Sequence, residues 1–165
     1  MIMFVLLMSV AAVITVAAVY DAATLTIPNW ISGVLVVLFP VVAICSGSEF
    51  TSVGLHLLIG FAALLGGMVL FAFNLIGGGD AKFFAAVSLF VGLPQLADYL
   101  LMVTLTGAAI ALIIIGARQV AQFGVSMDWF LKFTRGGSVI PYGIAIAAGA
   151  LVVLPQTAIF AAAIS

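Results

Sequence analysis

Charge is what this sequence has least of. Four Lys or Arg and five Asp or Glu make up 5% of 165 residues, where a soluble domain carries about 25%. So few charged side chains cannot cover such a particle in water, so lipid is the solvent for most of its surface. Backbone groups in lipid must pair internally, as helices or as a closed barrel. A net charge of −1 excludes a nucleic-acid partner, which is held through many Lys and Arg contacts to phosphate. The single cysteine, Cys45, excludes an internal disulfide framework and a four-cysteine zinc site. With one histidine, His56, and no clustered ligands, no metal and no cofactor is expected. The first residues are apolar from Met1 and lack the basic stretch of a cleaved signal, so they are read as a retained first helix.

What fills the chain instead is hydrophobic residue, 67% of it. Barrel strands would alternate in polarity over about ten residues; these apolar runs are continuous and longer. The expectation is an all-α bundle of about six transmembrane helices, each needing about 20 apolar residues. The first runs from Ile2 to Tyr20 and stops at Asp21. The second starts at Ile27-Pro28-Asn29, with Pro28 suited to a first helical turn, and ends near Cys45. Ser46-Gly47-Ser48-Glu49 links to a third, from about Val53 to Phe73. The run Gly77-Gly78-Gly79 interrupts, and a fourth is expected from Asp80 past Pro94 towards Ala97. A fifth covers Tyr99 to Gly116 and a sixth about Val139 to Phe160. No repeat or linker divides residues 1–165, which are read as a single domain. Gly60, Gly66, Gly67, Gly107, Gly143 and Gly149 are expected to let helices approach closely.

Six spans put the loops near 21–26, 74–82 and 117–137 on one side, and Lys82, Arg118, Lys132 and Arg135 all fall there. Basic residues favour the cytoplasm, so that side is cytoplasmic and both termini lie outside. The stretch from Arg118 to Arg135, with Phe123, Trp129, Phe130 and Phe133, reads either as an interfacial segment or as an aromatic-anchored loop.

Asp21 and Asp80 carry the candidate chemistry. Each sits where a span meets the same interface, and a carboxylate at such depth is paired, wetted or functional, or else marks a helix end. Three glycines before Asp80 remove side chains and widen the accessible backbone angles. An extended peptide could lie against such a backbone, although a flexible turn has the same composition. A phosphate loop is excluded, since no Gly-Lys-Ser/Thr follows. Lys82 points roughly 200° from Asp80 on a helix and suits lipid headgroups or substrate. Asn29 either caps the second helix or bonds Asp21. Tyr142 either supports the site or packs at the interface. His56 is read as outward-facing or hydrogen-bonded within the bundle, and Glu49, Asp98 and Asp128 show no partner pattern.

The stretch Asp21 to Ile27-Pro28-Asn29 resembles the first catalytic motif of type IV prepilin peptidases. Gly77-Gly78-Gly79-Asp80-Ala81-Lys82 resembles their second, the GxGD signature of intramembrane aspartyl proteases, and Pro141-Tyr142-Gly143 resembles a late helix of that family. The chain lacks the cysteine-bearing insertion of the bifunctional enzymes, and so resembles the compact CpaA/TadV-type members that process Flp-like pilins. Methyltransferase activity is not implied. The resemblance implies an aspartic endopeptidase of the bacterial inner membrane, multi-pass, that removes prepilin leaders at the cytoplasmic face. It assigns catalysis to Asp21 and Asp80, with Gly77, Gly78, Gly79, Lys82, Pro28, Asn29 and Tyr142 binding substrate or supporting the site. The expected partners are the prepilin and the bilayer, with a homo-oligomer left open. The competing reading is a non-enzymatic transport or secretion-assembly subunit using Asp21 and Asp80 as a proton or ion relay. Helix dipoles would place the shared proton on Asp21, at the C-terminal end of its span, rather than on Asp80, at the start of its own.

Orientation is testable directly. On a Cys45→Ser background, Gly78→Cys and Lys132→Cys should resist a membrane-impermeant maleimide added outside, whereas Glu49→Cys should react. External labelling at position 78 or 132 would reverse the assignment.

Overall fold

The computed structural model describes residues 1–121 and 141–161, which contain helices and no strand. In chain order the helices are α1 (Ile2–Thr24), α2 (Asn29–Cys45), α3 (Phe50–Ala72), α4 (Gly78–Val91), α5 (Leu96–Ala121) and α6 (Tyr142–Val153). A 3₁₀ turn, Leu154–Gln156, then leads to a short α7, Ala158–Ala161. The chain is an all-α, multi-pass membrane protein. Of the expected six spans, three helices are long and apolar enough to cross a bilayer, namely α1, α3 and α5; α2 and α6 are shorter.

These helices are apolar all round, so polarity does not choose which face turns inward. Size does. Association in lipid has no hydrophobic driving force and relies on close packing of small residues. The α3–α4 contact is made on Gly60 and Gly67. A Cβ on Gly60 would run into Leu89 Cδ2, and one on Gly67 would lie 2.9 Å from Ala81 Cβ and 3.2 Å from its Cα. The two helices are therefore antiparallel, with Gly60 facing Leu89 and Gly67 facing Ala81. On the other side of the bundle Gly149 of α6 meets Val103 of α5, and Gly107 lies near Ala145.

Helix α4 is the centre. It packs on α2, α3 and α6, while α6 bridges α1 and α5, and every residue of α4 from Ala85 to Val91 is buried. Its 14 residues are about 21 Å long, short of the hydrocarbon thickness of about 30 Å. A helix held mainly by packing on three others need not match that thickness.

The fourth helix thus ends earlier than expected. Gly92 takes φ 72°, a backbone form that favours glycine, and reverses the chain. Pro94 cannot extend the helix, because it lacks an N–H and would clash with the carbonyl four residues back. His56 of α3 satisfies the exposed end, its Nδ1 lying 2.7 Å from the Leu89 carbonyl oxygen. That fulfils the hydrogen-bonded reading of His56. Helix α5 begins at Leu96 instead of Tyr99 and runs past Gly116 to Ala121. The last span, expected as continuous to Phe160, breaks after Val153 into a 3₁₀ turn around Pro155. The aromatic stretch after Arg118 lies largely outside the described residues.

The glycine register carries a stability prediction. Gly67→Val should lower stability by about 1–3 kcal/mol through overpacking, read as a lower unfolding temperature in detergent. Gly54→Ala on the same helix, where a Cβ meets nothing within 4 Å, should leave it unchanged or slightly raised.

Candidate active site

Asp21 lies one turn inside the end of α1. The helix closes when Leu25 takes the left-handed conformation, φ 57° and ψ 29°, and its N–H donates to the Asp21 carbonyl at 2.8 Å. That conformation costs a non-glycine residue about 1–2 kcal/mol. Thr24 holds the reversal through its single hydroxyl proton, with the Tyr20 carbonyl as acceptor at 2.8 Å and the Thr26 carbonyl as the alternative at 3.1 Å. The chain then runs through Ile27 and Pro28, the extended residue before α2.

Two other helix starts close on this link. The first is α6. The Ile144 N–H donates to Asp21 Oδ2 at 3.1 Å, and Asp21 is only 2% exposed. Gly143 makes the approach possible, since a Cβ there would lie 2.6 Å from Ile27 Cδ1 and 2.8 Å from Asp21 Cγ and Oδ2. The second is α4. A Cβ on Gly79 would lie 2.8 Å from the Ile27 carbonyl oxygen, and one on Gly77 would lie 2.8 Å from Asp80 Oδ2. The Asp80 carboxylate accordingly folds back over the first turn of its own helix, onto the Gly77 amide, within electrostatic reach of Asp21. Each carboxylate therefore faces a helix N-terminus, whose free amides favour negative charge. At Asp21 the start of α6 opposes the unfavourable end of the α1 dipole.

Cavities flank the start of α4. One of about 750 Å³ lies between α3 and α5 and is bordered by Asp80, Tyr142, Ile146 and Phe84. Another, of about 900 Å³, lies between α2 and α3 over α4 and is bordered by Asn29, Ser32 and Lys82. The expected site residues divide accordingly. Gly79 packs on Ile27, beside Pro28; Asp21 and Ile27 both meet the start of α6 at Gly143; Gly77 lies against the Asp80 carboxylate, and Tyr142 shares the cavity of Asp80. Gly78 turns to Phe71 of α3, where a Cβ would make ordinary contact at 3.4 Å. Lys82 and Asn29 face the other cavity, where Lys82 Nζ donates to Asn29 Oδ1 at 3.0 Å. Asn29 makes no cap, because Pro28 occupies that position and no side chain bonds the α2 start. The Ile144 amide, Gly143 and Ile27 were not foreseen as direct contacts. The Pro-Tyr-Gly signal of a helix start pointed to the place, but nothing in the linear chain joined it to Asp21.

The fold defines a class, that of all-α multi-pass membrane proteins, here with one carboxylate at the end of α1 and another at the start of α4. Residues 6–116 match the type IV leader peptidase family, well over half of the chain, and the chain belongs to that family. It is an aspartic-type membrane endopeptidase that cleaves leader peptides from prepilins. No curated protein and no solved structure matches it significantly.

Gly143 supplies the test of this geometry. Gly143→Ala should push α6 off Asp21 and reduce prepilin processing by at least about tenfold, a change of about 1.4 kcal/mol in barrier. Gly33→Ala, in open space, should process normally at matched membrane levels.

Proposed function

We propose that Asp21 and Asp80 form the catalytic pair, and that this chain is a compact prepilin peptidase acting on Flp-like pilins at the cytoplasmic face of the inner membrane. The observation that supports this reading is the packing of the starts of α4 and α6 on the link after Asp21, with Asp21 buried and Asp80 bordering a large apolar cavity. The one-sided basic residues support the orientation, with six passes of which α4 is the enclosed one.

The prepilin enters through the cavity between α3 and α5, bringing its scissile carbonyl to Asp80. The carboxylates share one proton, as in aspartic proteases. The ionised member takes a proton from water while the oxygen of that water bonds to the carbonyl carbon. The protonated member donates to the carbonyl oxygen, giving a neutral tetrahedral intermediate. Collapse breaks the C–N bond, with a proton delivered to the leaving nitrogen and the other carboxylate reloaded. Gly77 and Gly79 keep Asp80 against the link, Pro28 fixes the link, and Tyr142 borders the path of the substrate. A transport relay would call for acids along a path through the membrane; these two lie together at one end of the bundle.

Asp21→Asn and Asp80→Asn should each abolish leader removal with insertion intact, because each keeps size but removes the transferable proton. The double variant should be no worse than either single one, as expected for groups acting as a unit. Asp98→Asn, exposed at the start of α5, should process normally. The measurement is the fraction of co-expressed prepilin converted to its shorter form; substantial conversion by either single variant would overturn the pair.

A further inference from the structure

The cavity between α2 and α3 is not used by the proposed chemistry, since neither carboxylate borders it. Its walls are apolar or small, and Lys82 is the one charged side chain along its border. Lys82 is exposed and spends one donor on Asn29, leaving two for a further acceptor. Ser32 follows Asn29 by three residues on α2, about 4.5 Å deeper. Its hydroxyl is buried and has no hydrogen-bond partner, although Ser32 borders the same cavity. An unpartnered buried hydroxyl costs about 1–3 kcal/mol, and a turn about its Cα–Cβ bond aims it into the cavity. Beyond it the border on α4 runs from Gly78 to Leu89, about 16 Å along the axis. That is the depth of one leaflet, half of about 30 Å.

We propose that this cavity is a binding site for one anionic glycerophospholipid. Its phosphate lies at Lys82 and Asn29, its glycerol ester carbonyl accepts from Ser32 one turn deeper, and its acyl chains run between α2 and α3. Charge sign selects this occupant. A cation at the polar end suits phosphate, whereas the cavity reaching Asp80 suits a peptide to be cut. The open seam explains why α3 is fixed chiefly through α4. Lipid there would fill the gap between α2 and α3 beside the catalytic turn. The inference requires only that the starts of α2 and α4 lie at a membrane interface, and does not depend on the catalytic assignment.

The full chain released from nanodiscs of equal phosphatidylglycerol and phosphatidylcholine tests it by native mass spectrometry. Phosphatidylglycerol should be retained about fivefold over phosphatidylcholine, the scale of one basic residue against an anionic lipid. Lys82→Gln should bring the ratio to about one, Ser32→Ala should weaken retention of both lipids, and Gly33→Trp, which projects into the cavity, should remove the adduct. Equal retention in the wild type, or a preference indifferent to Lys82→Gln and Gly33→Trp, would overturn the site. A photo-crosslinking residue at position 33 should capture phospholipid; capture of co-reconstituted prepilin instead would assign the cavity to substrate.

Discussion

Three backbone segments meet at the side chain and carbonyl of Ile27, and the rest of the molecule is arranged so that they can. The end of α1 delivers Asp21, the start of α4 delivers Asp80, and the start of α6 delivers the Ile144 amide. Helix starts pack this tightly only where Cβ atoms are missing, which is why Gly79 and Gly143 sit at the contacts. A side chain at Gly143 would separate Asp21 from the Ile144 amide, and one at Gly79 would push the start of α4 off Ile27. The left-handed Leu25 is the accompanying strain, offset by the hydrogen bonds that close α1 and tie Thr24 across the reversal.

The same closeness resolves a conflict built into the chain. Asp21 stands near the C-terminal end of its own helix, an unfavourable place for negative charge. The N-terminus of α6 compensates by presenting its first amides to the carboxylate. Each acid thus faces a helix start, Asp21 that of α6 and Asp80 that of its own helix. Asp21 is buried, whereas Asp80 borders the cavity between α3 and α5.

Helix α4 shows how a membrane protein places such a site below its surface. A helix of 14 residues is short for lipid, but packed on α2, α3 and α6 and buried from Ala85 to Val91 it is held by protein rather than by hydrocarbon thickness. Near its C-terminal end the Leu89 carbonyl is held by His56 of α3. The short helix lets its first turn, with Asp80, sit level with the end of α1. The seams on either side of α3 follow, since that helix is held mainly through Gly60 and Gly67 against α4.

Composition and hydrophobic length by themselves determined the solvent, the helical class, and the approximate positions of α1, α2, α3 and α5, because in lipid the backbone has no alternative but to pair within each segment. The two acids and the glycine run before Asp80 were equally visible, since charge and missing side chains are local properties. The end of α4 at Gly92 and the break after Val153 were not read correctly, although Pro94 and Pro155 marked them. An apolar run tells how long a helix could be, not where packing stops it. That Lys82 points away from Asp80 followed from helical spacing, but only the tertiary structure decided that Asn29 pairs with Lys82 rather than capping α2 and that Gly143 bears on Asp21. Those outcomes rest on contacts between residues far apart in the chain, and helices apolar on every face carry no periodic mark of which neighbour each side will meet.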